Sequence, residues 1–172
     1  SEEGGAGGKM MIDEGLLEGA SAAFALHTAS RLPTGKIASR PGVLLASASG
    51  FTITVNGKGG HAASPFKAID PVNAAAQVVL SLNTIVGRMV DNPNSPVVIG
   101  VSTVHGGDAS NIIPESVVIT GTIRTLSSDM MTTMMQIVKD RAISMAAANG
   151  CNATVDFRDG EVNYNSRGEK WS

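Results

Sequence analysis

A pair of adjacent carboxylates and a distant histidine are residue types that could hold a metal ion and activate water. Glu2 and Glu3 follow one another, and His27 ends a short apolar run. Carboxylate oxygens and a neutral imidazole nitrogen suit Zn, Mn and similar divalent ions, and a carboxylate beside such an ion can serve as a general base. On spacing alone, two exposed glutamates are the simpler interpretation.

A second group of residues could bind and polarise a small substrate. His61 lies in the glycine-rich turn of residues 57–65, where missing side chains would let a substrate approach the backbone. Asn111 offers an amide to a carbonyl oxygen, and Arg124 offers a guanidinium to a carboxylate. Taken singly, a histidine in a turn and an arginine on a strand are more often solvated side chains than functional ones.

The composition indicates a globular chain and disfavours two classes of partner. Of the 172 residues, 42% are hydrophobic and 16% are charged, and the formal net charge is -2. Because there is no basic surplus, we predict no nucleic-acid partner. The single cysteine, Cys151, allows no internal disulfide. Apolar runs fall short of the roughly 20 residues that a membrane span needs, so we predict no membrane segment.

From residue 44 onward, strand and helix patterns alternate regularly. Two helices are predicted, one beginning after the N-cap Asp70 and ending near Arg88 or Met89, the other beginning after Ser127 or Ser128. Strands are predicted from period-two apolar patterns at residues 51–56, 97–104, 116–125 and 152–157. This βαββαβ order predicts an α+β, ferredoxin-like domain with a four-stranded antiparallel sheet and both helices on one face.

Apolar residues at helical spacing predict the buried face of each helix. For the first helix the predicted stripe is Val72, Ala75, Ala76, Val79, Leu82 and Val86. For the second helix it is Met131, Met134, Ile137, Val138, Arg141 and Met145. Methionines at this spacing are more often packed in a core than exposed as a binding surface.

The first 43 residues differ in pattern from the rest. A short helix is predicted within residues 4–20, and the apolar run 22–27 predicts a buried strand that delivers His27 at its end. Residues 32–41 are rich in Pro and Gly, as is typical of a connection between domains. The chain opens on Ser1 without an initiator Met or a signal-like segment. We therefore expect it to begin within a longer protein.

Seven runs in this order resemble a known enzyme family. The family is that of the metal-dependent amidohydrolases, which contains aminoacylases, hippurate hydrolases and plant indole-acetyl-amino-acid hydrolases. The resemblance extends from Glu2 to about Phe157. The runs are EEGG at 2–5, ALH at 25–27, SRPG at 39–42, GKGGHAA at 57–63, DP at 70–71, GGDASNIIP at 106–114 and GTIR at 121–124.

The resemblance implies roles for the three residues nearest the start of the chain. In the family, the first glutamate of the pair is the general base that activates a metal-bound water, and Glu2 matches it. The second glutamate and the histidine that ends the next strand bind the metal, and they match Glu3 and His27. The implied cofactor is a divalent metal, Mn or Zn, and the implied substrate is an N-acyl amino acid.

The resemblance also implies that the βαββαβ unit is a lid and dimerisation domain. In the family, the histidine of the glycine turn reaches into the partner subunit's active site and helps to hold the scissile carbonyl, and His61 resembles it. Asn111 resembles a substrate-contacting asparagine. Arg124 resembles the arginine that binds the substrate's carboxylate. A homodimer formed through the lid domain is therefore expected.

The sequence also departs from the family pattern. The family's Cys-x-His metal ligands and its last histidine ligand have no counterpart here, and Cys151 does not match that motif. We divide the chain into a fragment of an α/β catalytic domain (1–43), the lid domain (44–158) and a divergent tail (159–172). We expect the chain by itself to be inactive.

A different class of function stays open at this point. The same fold could serve as a non-catalytic dimerisation or interaction module, with no reaction of its own. RNA recognition on this fold is disfavoured, because the strands lack exposed aromatic residues for base stacking and the chain is acidic.

Overall fold

A computed structural model describes residues 7–24 and 26–158, so Glu2, Glu3, Ala25 and the tail 159–172 lie outside the described residues. Most of the secondary structure lies between residues 47 and 158. The elements in order are α1 (Gly7–Asp13), β1 (Ser47–Asn56), β2 (Gly60–His61), a 3-10 turn (Pro65–Lys67), α2 (Pro71–Met89), β3 (Val97–His105), β4 (Ile112–Ile113), β5 (Ser116–Thr125), α3 (Ser128–Ala148) and β6 (Asn152–Arg158).

The four long strands form one antiparallel sheet in the order β3-β5-β1-β6. β1 lies between β5 and β6, and Ile53 stands opposite Ile119 on one side and Val155 on the other. β3 pairs with β5 with one irregularity between Val101 and Thr103. This strand order and the placement of the two helices confirm the predicted ferredoxin-like α+β fold.

The core lies between one face of this sheet and the two long helices. Phe51, Ile53 and Val55 alternate along β1 and are buried, as the period-two pattern predicts. On β5, the buried residues on the same face of the sheet are Val117, Ile119 and Ile123. The opposite face carries a row of threonines, two of which, Thr103 and Thr120, share a hydrogen bond of 2.7 Å between their hydroxyl oxygens. The sheet is therefore covered by helices on one face only.

Helix α2 begins and ends where the sequence predicts. The Asp70 carboxylate accepts hydrogen bonds from the backbone N–H groups of Val72 (2.8 Å) and Asn73 (3.3 Å), and Pro71 occupies the first turn. These bonds satisfy donors that have no partner within the helix. The thiol of Cys151 is buried beside this cap, and desolvation, followed by the charge of Asp70, raises its pKa.

The predicted helix stripes are partly wrong. In α2 the buried residues are Pro71, Ala74, Ala75, Val78, Leu82 and Ile85, whereas Val72 and Ala76 are exposed. In α3 they are Met134, Val138, Ala142 and Ala146. Both helices carry more apolar residues than one face can hold. Helical periodicity alone is therefore compatible with more than one choice of buried face. Contact with the sheet favours the stripe that contains small alanines, which allow close packing.

The strand predicted at residues 22–27 is also wrong. The described residues of this run are irregular, and Phe24 and Leu26 are 94% and 83% exposed. A buried strand needs neighbouring strands to pair with its backbone, and none of the described residues pairs with this run. Residues 32–41 form an irregular connection, as predicted. No helix in the described ranges is long and apolar enough to cross a membrane.

Candidate functional site

His61 lies in a loop of residues 57–70, here called the His61 loop, which is closed at its base by backbone hydrogen bonds. Lys58 and Ile69 exchange two of them, with N···O distances of 2.8 and 3.0 Å. The Gly57 N–H donates to the Glu115 carbonyl at 2.9 Å, which attaches the base to the start of β5. The loop therefore has a defined conformation rather than that of a free turn.

A two-stranded ladder joins the His61 loop to the connection between β3 and β5. In this ladder β2 pairs antiparallel with β4, with Gly60 opposite Ile113 and His61 opposite Ile112. The Ala62 N–H then donates to the Asn111 carbonyl at 2.9 Å. Through this ladder two predicted site residues, His61 and Asn111, come together although fifty positions separate them in the sequence.

The glycines of the turn make this packing possible. A Cβ at Gly57 would lie 2.2 Å from the Ile69 carbonyl oxygen, and one at Gly59 would lie 3.0 Å from that of Ile113. A Cβ at Gly60 would lie 3.1 Å from the Cβ of Ala68. The sequence-based interpretation assigned these missing side chains to an approaching substrate. The structure shows instead that the chain's own atoms, two backbone carbonyl oxygens and the Ala68 methyl group, fill the space.

The imidazole of His61 is held in one tautomer. Its side chain is exposed, and its Nδ1 accepts a hydrogen bond from the Ala63 N–H at 3.1 Å. A nitrogen that accepts carries no proton, so in the neutral ring the proton resides on Nε2. His61 therefore has an N–H donor available to an external acceptor. The side-chain amide of Asn111 is exposed as well and makes no hydrogen bond to a described residue.

Arg124 lies far from His61 and Asn111 within the chain. It stands near the end of β5, on the open face of the sheet, between Ala48 of β1 and Val98 of β3. The strand from Ser116 to Arg124 spans about 27 Å at a rise of about 3.4 Å per residue. His61 lies beyond the Ser116 end, so the structure does not bring these predicted residues to one place in a single chain.

His27 is suited to act as a metal ligand, although the described residues do not complete a metal site. It is exposed, and its Nδ1 lies 2.6 Å from the Thr28 carbonyl oxygen, so Nδ1–H donates and Nε2 keeps a free lone pair. No three His, Cys, Asp or Glu side chains in residues 7–24 and 26–158 converge on one point. Glu2 and Glu3 are outside these ranges, and their predicted roles stay predictions.

One cleft of the described chain is separate from these residues. It has a volume of about 310 Å³ and is lined by Arg40, Pro41, Val43, Asn94, Ser95, Pro96, Leu126, Ser127 and Met130. The guanidinium of Arg40 donates to the Val43 carbonyl, with Nε at 2.7 Å. None of the predicted site residues that the structure describes lines this cleft, so it is not the predicted substrate site.

These features define a ferredoxin-like domain that presents a histidine and an asparagine on two loops joined by a short ladder. Residues 45–150 match the family described as the peptidase dimerisation domain. IAA-amino acid hydrolase ILR1-like 5 of Arabidopsis thaliana is 46% identical over 162 residues, which are 94% of this chain and 37% of the relative. N-acetyldiaminopimelate deacetylase of Bacillus subtilis is 40% identical over 159 residues, which are 91% of this chain and 42% of the relative. The chain belongs to the M20 peptidase family.

Solved structures agree with this assignment. A protein from methicillin resistant Staphylococcus aureus has a TM-score of 0.81 at 30% identity, over 88% of this chain and 40% of that one. A Bacillus subtilis protein described as a dinuclear metal binding peptidase from the M20 family has a TM-score of 0.67 at 28% identity, over 87% of this chain and 36% of that one. The family resemblance inferred from the motifs is confirmed. The chain spans less than half the length of these relatives.

Proposed function

We propose that this chain supplies lid residues to a metal-dependent hydrolase that cleaves the amide bond of N-acyl amino acids. The observation that carries the proposal is the fixed tautomer of His61, which presents an Nε2–H donor beside Asn111 on a clamped loop. A donor held in place before the reaction is what a developing oxyanion requires. Relatives named as a hydrolase of an amino-acid conjugate and as a deacetylase support the same reaction class.

In the proposed reaction, water adds to the amide carbonyl carbon and the carbon–nitrogen bond breaks. Glu2 accepts a proton from the water and returns it to the leaving amine, so that a carboxylic acid and a free amino acid are the products. His61 Nε2–H donates to the carbonyl oxygen as negative charge develops there. Glu3 and His27 would help to hold a divalent ion, which would supply Lewis-acid chemistry. Asn111 orients the same carbonyl from the neighbouring loop.

The separation of Arg124 from His61 supports a homodimer in the proposed function. Only a few covalent bonds separate the carboxylate of an N-acyl amino acid from its scissile carbonyl. The two side chains of one subunit stand near opposite ends of β5 and cannot both reach such a substrate. We therefore assign His61 and Asn111 of one subunit to the same substrate as Arg124 of the other. The match to a dimerisation domain supports this assembly.

The proposed activity is tested with the polypeptide that contains this chain, purified and loaded with Mn or Zn. We expect it to release free amino acid from N-acyl amino acids, measured by an amine-specific assay, and to lose this activity with a chelator. The 172-residue chain alone, under the same conditions, is expected to release none. Hydrolysis by the 172-residue chain would refute the assigned division of the site.

Arg124→Ala is expected to weaken binding of substrates that carry a free carboxylate. A hydrogen bond to a charged group contributes about 1.5 to 3 kcal/mol, so KM should rise about 10- to 150-fold. Folding should be unaffected, because Arg124 is exposed. Substrates with the carboxylate converted to a neutral amide serve as the control and should show little change. An equal effect on both substrate types would count against the role.

A second candidate is a dimerisation module without catalysis, which is favoured by the match of residues 45–150 to a dimerisation domain. The edge strand β3 and the adjacent helix α2 expose apolar side chains suited to pairing with another copy, among them Val72, Leu80, Val98 and Val104. Sedimentation shows whether the 172-residue chain dimerises. The hydrolysis assay on the containing polypeptide separates the two candidates.

A further inference from the structure

The cleft that contains Arg40 has the size and the lining of a small-molecule site. Its volume of about 310 Å³ lies at the lower end of the range of roughly 300 to 1,000 Å³ that such sites occupy. Three stretches of the chain form its walls: the connection before β1, the turn before β3 and the start of α3. A molecule bound there would contact all three.

Most of the cleft surface is apolar. The apolar lining residues are Pro41, Val43, Pro96, Leu126 and Met130. Met130 is half-buried and also packs against the core of the domain, so its position is supported from behind. A surface of this kind suits the hydrocarbon part of a small organic ligand.

Arg40 has hydrogen-bond donors to spare. Its Nε–H donates to the Val43 carbonyl at 2.7 Å, and one Nη2–H donates to the same oxygen. A guanidinium carries five N–H groups, so three of them make no hydrogen bond to a described residue. The contact with Val43 holds the guanidinium at the cleft before a ligand arrives.

Ser127 adds a second donor. Its Oγ accepts a hydrogen bond from the Met130 N–H at 3.3 Å as the N-cap of α3. The hydroxyl proton is not used in that bond and can be donated to a ligand. Ser127 also stands at the positive end of the dipole of α3. Arg40 and Ser127 therefore both favour a ligand group that accepts hydrogen bonds and is negatively charged.

The charge of the lining favours the same kind of ligand. Arg40 is the one charged residue among those that line the cleft. Asp129, in the first turn of α3, is not among them. Asp91 is next to the cleft, but its carboxylate accepts a hydrogen bond from the Asn94 side-chain amide at 2.7 Å. An ionised carboxylate only accepts hydrogen bonds, so it matches these donors.

We propose that this cleft is a second binding site, which takes a small organic carboxylate with an apolar body. The carboxylate binds Arg40 and Ser127, and the apolar body contacts Val43, Pro96 and Met130. Such a ligand holds the connection before β1 against the turn before β3 and the start of α3. The proposal does not depend on hydrolysis, because none of the residues in the proposed reaction lines the cleft.

The experiment titrates benzoate into the metal-loaded polypeptide that contains this chain, with isotope-labelled methionine methyl groups observed by NMR. The Met130 signal, assigned with Met130→Leu, should shift saturably because Met130 lines the cleft. Benzamide, which has the same shape without the charge, and acetate, which lacks the ring, should each bind at least about tenfold more weakly. Benzoate bound at the active site would not move this signal.

Arg40→Gln should weaken benzoate binding at Met130 by about tenfold or more, because a charge-assisted hydrogen bond is lost. Ser95→Leu, which fills the cleft and keeps Arg40, should weaken it as well. Arg88→Gln removes an exposed arginine at the end of α2 and is the matched control, so it should leave binding unchanged. Thermal midpoints measured on all three variants check that each is folded.

Two results would overturn the proposal. One is a Met130 signal that does not respond to benzoate, as it would be if another segment of the polypeptide already covered the cleft. The other is a response that benzamide reproduces or that Arg40→Gln leaves intact. Benzoate binding at Met130 in a polypeptide that hydrolyses no N-acyl amino acid would support this site while the proposed function failed.

Discussion

His61→Ala is expected to lower kcat by about 100- to 1000-fold in the metal-loaded polypeptide that contains this chain, the usual loss when one oxyanion donor is removed. The side chain is exposed, and its single internal hydrogen bond is to the neighbouring Ala63 N–H. The folded structure should therefore tolerate the substitution, and the thermal midpoint should change little. Steady-state kinetics and a thermal melt together measure both effects.

The matched control for this substitution is His105→Ala. His105 is also an exposed histidine; it ends β3 opposite Val118 of β5, and the proposed reaction assigns it no role. It should leave kcat within about twofold, a change of less than about 0.5 kcal/mol, as is usual for a surface substitution away from a site. If His61→Ala lowered turnover no more than His105→Ala does, the oxyanion role would be wrong.

Mixing two impaired variants, assayed at a substrate concentration well below KM, tests whether His61 and Arg124 serve one site from different subunits. When His61→Ala and Arg124→Ala proteins exchange subunits, half of the dimers are mixed, and each mixed dimer contains one site with both residues intact. Activity should therefore return to about a quarter of the unaltered level. If both residues came from the same subunit, every site in a mixed dimer would lack one of them and activity would stay low.

Gly57→Ala is expected to destabilise the domain and to inactivate the proposed enzyme together. Its Cβ would lie 2.2 Å from the Ile69 carbonyl oxygen and 2.9 Å from Cδ of Pro71, so backbone at the base of the His61 loop would have to move. Overpacking of this kind costs about 3 kcal/mol at the upper end of its usual range. Because the loop carries His61, kcat should fall even at temperatures where the variant remains folded. Urea unfolding and kinetics check the two effects.

Gly87→Ala is the matched glycine-to-alanine control, and its expected effect on stability has the opposite sign. Gly87 lies inside α2, and a Cβ there would meet no atom within 4 Å. Alanine is a better helix former than glycine, so this substitution should stabilise the domain by up to about 1 kcal/mol. A similar loss of stability in both variants would show that the contact of Gly57 with Ile69 is not the cause.

The long elements were predictable because their residues repeat at the period of their secondary structure. Alternation along β1 and β5 identified the buried face of the sheet, and Asp70 followed by Pro71 located the start of α2. The helix stripes were less predictable because alanine fits both a buried and an exposed position. The strand expected at residues 22–27 was wrong because apolar composition cannot show whether neighbouring strands are present.

The ladder between β2 and β4 could not be predicted from periodicity. Each strand has two residues, which is too short to show alternation, and its partner lies about fifty positions away. Motif resemblance pointed to His61 and Asn111 separately. Their proximity depends on backbone hydrogen bonds between distant loops.

The sequence by itself determined the βαββαβ order, the helix starts and the family. Hydrophobic periodicity, capping residues and the order of motifs can all be recognised in the sequence without knowing which segments are in contact. The tertiary structure alone decided which of the candidate residues lie near one another. It placed His61 beside Asn111, kept Arg124 near the other end of β5 and fixed the His61 tautomer through Ala63. These outcomes depend on pairing between segments far apart in the sequence. A local sequence pattern does not show which distant segments will pair.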